Sequence, residues 1–127
     1  MRFHAFKGAV LGVHLTVGVA WATPQDGTRD WIFSGSELID ALEGRLEEKM
    51  SGEAGRSLQN ARAIAYIAGV ADATSGTRWC GAGTVLPHEL ADRVYSHLRT
   101  LKSDRLRRSA SLLVVEGLAE AFPCLEN

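Results

Sequence analysis

Apolar residues recur at intervals of three and four in four segments of the chain, the spacing of helices that bury one face. The first such helix is predicted to start at Ser34, whose hydroxyl can accept a hydrogen bond from the Glu37 amide while the Glu37 carboxylate reaches back, forming a capping box. Its apolar face continues from Leu38 to Met50. Because a serine and a glycine follow at 51–52, the helix is expected to stop there.

A second helix is predicted after a glycine-containing loop over residues 51–56, with Ser57 as its cap. This helix is apolar almost all round after residue 62, which predicts a central place in a helical bundle. Gly69 inside it costs about 1 kcal/mol relative to alanine, so close packing of a neighbour against Gly69 is expected. Asp72 is expected to bond to the following loop or to an arginine, a catalytic role being the lesser alternative.

The third and fourth predicted helices follow a loop over residues 74–86. Pro87 suits the first position of the third helix. Ser103 or Asp104 is expected to cap the fourth, and Pro123 to end it. No segment alternates apolar and polar residues as a strand does. The predicted fold class is therefore all-α, a small bundle of four, or four to five, helices within one domain.

The N-terminus has the features of a secretory signal peptide over residues 1–22. Arg2 and Lys7 precede an apolar run at 9–21, which ends in Ala-Trp-Ala at 20–22. A retained membrane anchor is the alternative, but the run is shorter than the roughly 20 residues that span a bilayer. We therefore expect cleavage, a mature domain over 23–127, and a periplasmic location without membrane attachment.

The formal charge of the predicted mature chain limits the classes of partner that it is expected to bind. Residues 23–127 keep 12 basic against all 15 acidic residues, a formal charge of −3, which does not favour binding to nucleic acid or to an acidic membrane.

Cys80 and Cys124 are the only two cysteines, so an oxidising compartment allows one pairing. Closing that loop contributes about 4 kcal/mol to stability in the chain-entropy model. The disulfide is expected to join the exit of the second helix to the C-terminal tail.

Sequence motifs for catalysis, cofactors and metals are missing from the chain. There is no nucleophile elbow, and the Gly-rich stretch at 81–84 lacks the third glycine of a dinucleotide fingerprint. His88 and His97 are nine residues apart on one helix, which places them on opposite faces, where they cannot share a metal. We predict no cofactor, no metal site and no catalytic residues, hence a protein that is not an enzyme.

Four motifs together resemble the Rap/Tai-type immunity proteins of bacterial type VI secretion systems. They are Phe-x-Gly-x-Glu-Leu at 33–38, Tyr-Ile-x-Gly-Val-x-Asp-Ala at 66–73, Trp-Cys at 79–80 and Phe-Pro-Cys at 122–124. The resemblance implies a small periplasmic helical protein, often a homodimer, that binds and blocks a cognate peptidoglycan amidase effector. The second disulfide that is frequent in the family is missing here, because Ala63 and an apolar residue, Leu42, stand at its positions.

Candidate partner-binding residues are those exposed in loops or at helix ends. Arg78 and Trp79 are one pair, since Trp and Arg are enriched in binding hot spots, although Trp79 could instead pack over the disulfide. Arg105 and Arg108 belong to a cluster of basic residues at 99–108, the basic corner, in which Asp104 is the one acidic residue. The basic corner is either a docking surface for an acidic protein or ordinary solvated surface. Two alternative functions are a small periplasmic chaperone of the acid-stress type, which holdase activity at low pH would reveal, and a small hydrolase, which turnover of peptidoglycan would reveal.

Overall fold

The computed structural model describes residues 30–46 and 52–125, and every regular element in these two ranges is a helix. In chain order the elements are α1 (Gly35–Leu42), α2 (Gly52–Thr74), α3 (Pro87–Thr100), α4 (Ser103–Leu106) and α5 (Ala110–Ala121). The all-α fold class is confirmed. The predicted signal peptide at 1–22 lies outside the described residues. None of the helices in the two ranges combines the length and apolar character that a bilayer span requires.

The start of α1 confirms the predicted capping box. The Glu37 amide donates to the Ser34 hydroxyl at 3.4 Å, and the Ser34 amide donates to Glu37 Oε2 at 2.8 Å. Two amide groups that a helix leaves without intrahelical partners are thereby satisfied. The start of α3 also matches expectation, with Pro87 as its first residue.

The predicted length of the first helix is wrong, because α1 ends at Leu42 and not near Met50. Gly44 has a φ of 68°, a left-handed conformation that glycine adopts readily. The buried amide of Gln59 on α2 then pairs with both backbone groups of Leu46, at 2.9 and 2.8 Å. These bonds to another helix replace the continuation of α1.

The second helix begins at Gly52, so the predicted loop over 51–56 and the cap at Ser57 are wrong for the described part of that segment. The first turn of α2 includes an ion pair between Arg56 and Glu53 at 2.6 Å. The buried residues of α2 form a single stripe in which every fourth residue is buried: Gly55, Gln59, Ala63, Ile67 and Ala71. The helix thus lies against the bundle with one face in solvent. A Cβ added at Gly69 would meet nothing within 4 Å, so the expected close packing there is also wrong.

The predicted fourth helix is two helices, α4 and α5, separated by residues 107–109. The break coincides with backbone pairing to the segment that enters α1. The Gly35 amide donates to the Arg108 carbonyl at 3.0 Å, and the Ala110 amide donates to the Phe33 carbonyl at 3.1 Å. Those groups would serve intrahelical bonds if the helix were continuous, so the tertiary pairing interrupts it.

The core lies where α1, α2, α3 and α5 meet. Its largest fully buried side chains are Leu38, Ile67, Val94, Leu98, Leu113, Val114 and Leu118. Ala63 belongs to this cluster and Leu42 packs against it, so apolar packing occupies the two positions without cysteine.

The predicted disulfide is confirmed, since Cys80 and Cys124 are bonded. The Cys80 amide also donates to the Phe122 carbonyl at 2.9 Å. The exit of α2 is therefore held to the end of α5 by one covalent bond and one hydrogen bond.

Candidate partner-binding groove

An open groove of about 390 Å³ lies between the second half of α2 and the first half of α5. Val70 and Ala73 line it from α2, and Leu112 and Val115 line it from α5. Its surface is mainly apolar, and Leu112 is 49% exposed although α5 is otherwise rich in buried side chains. An apolar groove of this volume is within the range of clefts that accept a ligand or an anchoring side chain.

The groove is open because small side chains follow one another on α2. Ala73 and Thr74, which line it, reach less far than the leucines and isoleucines that fill the core. These small residues of α2 therefore leave a depression on the surface.

One of the four predicted partner-binding residues lines this groove, and two others pair with a residue that lines it. Arg78 lines it directly and is exposed. Glu116 lines it from α5 and forms ion pairs with Arg105 at 2.6 Å and with Arg108 at 3.9 Å. The groove is thus apolar in its centre, and its charged lining consists of Arg78 and of Glu116 with its two arginine partners.

The positive charge of the basic corner at 99–108 is offset by more acidic side chains in the structure than the local sequence suggests. Asp104 is not the only acid that offsets it, because Glu116 pairs with the corner from α5 and Glu43 approaches Arg99 at 3.4 Å from the residue after α1. Glu43 is 56 positions from Arg99, and Glu116 lies on the following helix, 11 positions from Arg105. Folding therefore neutralises part of the cluster.

Trp79 has a different position from the three arginines. Its side chain is only 2% exposed, and its indole N–H donates to the Ala71 carbonyl at 2.9 Å. The ring also packs against Phe122, with 6.0 Å between the ring centroids. Trp79 thus lies in the core, as the packing alternative expects. A direct role in partner binding stays a prediction.

Asp30 holds the N-terminal end of α5 at the edge of the groove. Its Oδ2 atom accepts from the Tyr66 hydroxyl at 2.7 Å and from the Ser111 amide at 2.8 Å. Burial raises the pKa of the Asp30 carboxyl, but hydrogen bonds from Tyr66, Ser111 and Ser109 outweigh burial and leave that pKa below its usual value. Burial, together with the hydrogen bond to Asp30, raises the pKa of Tyr66.

The two histidines and Asp72 lie at separate places on the surface and boundary of the bundle. His88 is exposed, whereas His97 is half-buried with Nδ1 2.9 Å from Glu120 Oε2. Asp72 is exposed on α2, which corrects the expectation of an acid on a buried helix. Within residues 30–46 and 52–125, no three His, Cys, Asp or Glu side chains are grouped so that they could hold a metal ion.

Residues 34–124 match the protein family described as Rap1a immunity proteins. The chain belongs to the Rap1a immunity protein family. The match begins at the Ser34 cap and ends at Cys124, so it covers the bundle from the first helix to the disulfide. The resemblance inferred from the four motifs is thereby confirmed. No curated protein matches the chain.

Sequence reasoning missed two features of this Rap1a-family chain. The groove was missed because the apolar residues of α2 were expected in the core, whereas Val70 and Ala73 of α2 line an open groove opposite the exposed Leu112 of α5. Asp30 was overlooked because its partner on α5, Ser111, is 81 positions away. An acid just before Trp31-Ile32-Phe33 gives no local signal that it caps a distant helix.

Proposed function

We propose that this chain is a periplasmic immunity protein that binds and inhibits a peptidoglycan amidase effector of a type VI secretion system. The observation that carries the proposal is the match of residues 34–124 to Rap1a immunity proteins. The amidase target follows from the resemblance to the Rap/Tai type. The periplasmic location follows from the signal-peptide pattern at 1–22.

Two physical features support the proposal. A disulfide between Cys80 and Cys124 suits a protein that folds in an oxidising compartment. Inhibition by contact requires a complementary surface and anchoring side chains, not groups that turn over substrate. The groove between α2 and α5 is a surface of that kind. The resemblance further implies a homodimer, which light scattering on the purified mature chain tests.

The decisive experiment uses the product of the open reading frame adjacent to the gene for this chain. That product is sent to the periplasm of a test bacterium, with or without this chain, and survival and peptidoglycan cleavage are measured. We expect lysis without the chain and survival with it, and inhibition of peptidoglycan cleavage by the purified chain.

A matched control is the same chain without residues 1–22, which should remain in the cytoplasm and fail to protect. Equal protection by that truncated form would contradict the periplasmic location. Absence of both protection and inhibition by the full chain would refute the immunity function.

A further inference from the structure

We propose that the groove between α2 and α5 is the docking site for an acidic segment of the effector, which places an apolar side chain in the groove and carboxylates against Arg78 and Arg108. This inference rests on the proposed immunity function and specifies the surface and the chemistry of the partner. Each part of it follows from a separate property of the groove.

The apolar centre of the groove provides the anchor site. Leu112 exposes about half of its surface beside Val70, Ala73 and Val115, so an inserted apolar side chain would remove a continuous apolar area from water. The volume of about 390 Å³ is sufficient for one large side chain with its neighbouring backbone. An apolar anchor enclosed by polar margins is the arrangement typical of binding hot spots.

The charges at the margins select an acidic partner. Arg78 is exposed and forms no ion pair with any residue in the described ranges. On the other side, Arg105 and Arg108 share the single carboxylate of Glu116. Three guanidinium groups thus lie on or near the groove, against two carboxylates, that of Glu116 and that of Asp30, which binds the lining residue Ser111. This local excess of positive charge contrasts with the negative formal charge of the chain as a whole. Complementary charge steers association and disfavours basic partners.

Arg108 has hydrogen-bonding capacity left for a partner. Its Nη1 atom is 3.9 Å from Glu116 Oε1, too far for a hydrogen bond, whereas Arg105 Nη2 is 2.6 Å from the other oxygen, Oε2. A guanidinium group presents five N–H donors in a planar fork that matches a carboxylate. A glutamate or aspartate of the effector would therefore complete the coordination of Arg108.

A second copy of this chain is a less suitable occupant than an acidic segment. In a twofold dimer the same patch lies on both sides of the interface. Each copy has an excess of positive charge on and near its groove, so pairing two such grooves brings like charges together at the cost of repulsion. An acidic effector segment meets no such repulsion.

The test measures binding of the purified mature chain to the purified product of the adjacent open reading frame by surface plasmon resonance. Arg78→Glu and Leu112→Asp alter the groove. Arg93→Glu and Leu58→Asp are the matched controls: Arg93 is an exposed arginine on α3, and Leu58 on α2 is 42% exposed and lies outside the groove. Circular dichroism and thermal melting establish that each variant is folded.

We expect each groove variant to weaken binding by about 30-fold or more, the size of a hot-spot loss. The control variants should change Kd less than about threefold. Raising salt should slow association of the wild type, and this dependence should shrink in Arg78→Glu. If Leu112→Asp fails to fold, the exposed Arg78→Glu decides the outcome.

Three results would overturn the proposal in distinguishable ways. If the wild type binds and protects, and the groove variants do so equally well, the docking site is wrong while the immunity function stands. If Leu112→Asp converts a dimeric chain into monomers, a second copy occupies the groove. If the wild type neither binds nor protects, the proposed function itself fails and the docking site with it.

Discussion

Replacing Trp79 by alanine separates a core residue from a binding anchor, the two interpretations that the sequence left open. In the folded chain the indole is 2% exposed, packs against Phe122 and donates to the Ala71 carbonyl. That carbonyl lies in the last turn of α2, where helix carbonyls lack intrahelical donors. The indole therefore fills the core and helps to cap α2 at the same time.

The expected loss of stability follows from these contacts. Truncation of a buried tryptophan to alanine costs about 3–5 kcal/mol, through lost burial and the cavity left behind. Trp79→Phe keeps an aromatic ring but removes the N–H donor, and should cost about 1–3 kcal/mol. For a domain of this size, the alanine variant should melt more than about 10 °C below the wild type.

Urea denaturation of the oxidised chain measures both variants, and unchanged m-values would show that the denatured state is not the cause. Trp31→Ala is the matched control, because Trp31 is fully exposed and should change stability by less than about 0.5 kcal/mol. If Trp79→Ala melted within a few degrees of the wild type but bound the effector far more weakly, the packing argument would be refuted and Trp79 would be an anchor.

Two further predictions concern stability. Asp30→Ala should cost about 1 kcal/mol at neutral pH, as loss of a helix-capping carboxylate does. Because the folded pKa of Asp30 is lowered from 3.8, its contribution is present above about pH 4 and is lost as pH falls through the folded pKa. Denaturation at several pH values checks this, and a gap between variant and wild type that widened in acid would contradict it. Gly69→Ala, in open space, should stabilise α2 by about 0.5–1 kcal/mol, whereas Gly117→Ala should destabilise, because its Cβ would lie 3.0 Å from a side chain of α3. Melting temperatures that shift in the same direction for both glycines would count against this account.

Helix starts were predicted well where the signal is carried by neighbouring residues. The capping box of Ser34 and Glu37 and the N-terminal Pro87 act within one turn, so their effect can be read from a few positions. The start of α2 is the exception, since Ser57 imitates a cap inside a helix that begins at Gly52. Here an internal serine was mistaken for a boundary.

The errors at other boundaries have a common cause in tertiary contacts. Gln59 binds the backbone of Leu46 after α1 has ended, and residues 33–35 pair with residues 108–110 where the predicted fourth helix breaks. Such bonds join positions from 13 to more than 70 residues apart. Local helix propensity does not predict these bonds, because each segment alone would satisfy its backbone hydrogen-bonding groups within a helix.

The candidate site was predicted in part. Arg78, Arg105 and Arg108 were recognised as surface arginines, but their relation to one groove depends on the packing of α5 against α2, which brings Glu116 and its arginine partners to the groove that Arg78 lines. Trp79 and Arg78 were both predicted to bind the partner because Trp and Arg are enriched in binding hot spots. The structure separates them, with one side chain in solvent and the other in the core.

By itself, the sequence determined the helical class, the single possible disulfide and the family, because apolar periodicity, cysteine number and short motifs are properties of the chain before it folds. Only the tertiary structure decided which face of α2 is buried, where the last predicted helix divides, and that an apolar groove lies among three arginines. Those features depend on how side chains from segments distant in sequence pack together in one core, and this packing is defined only once the helices have assembled.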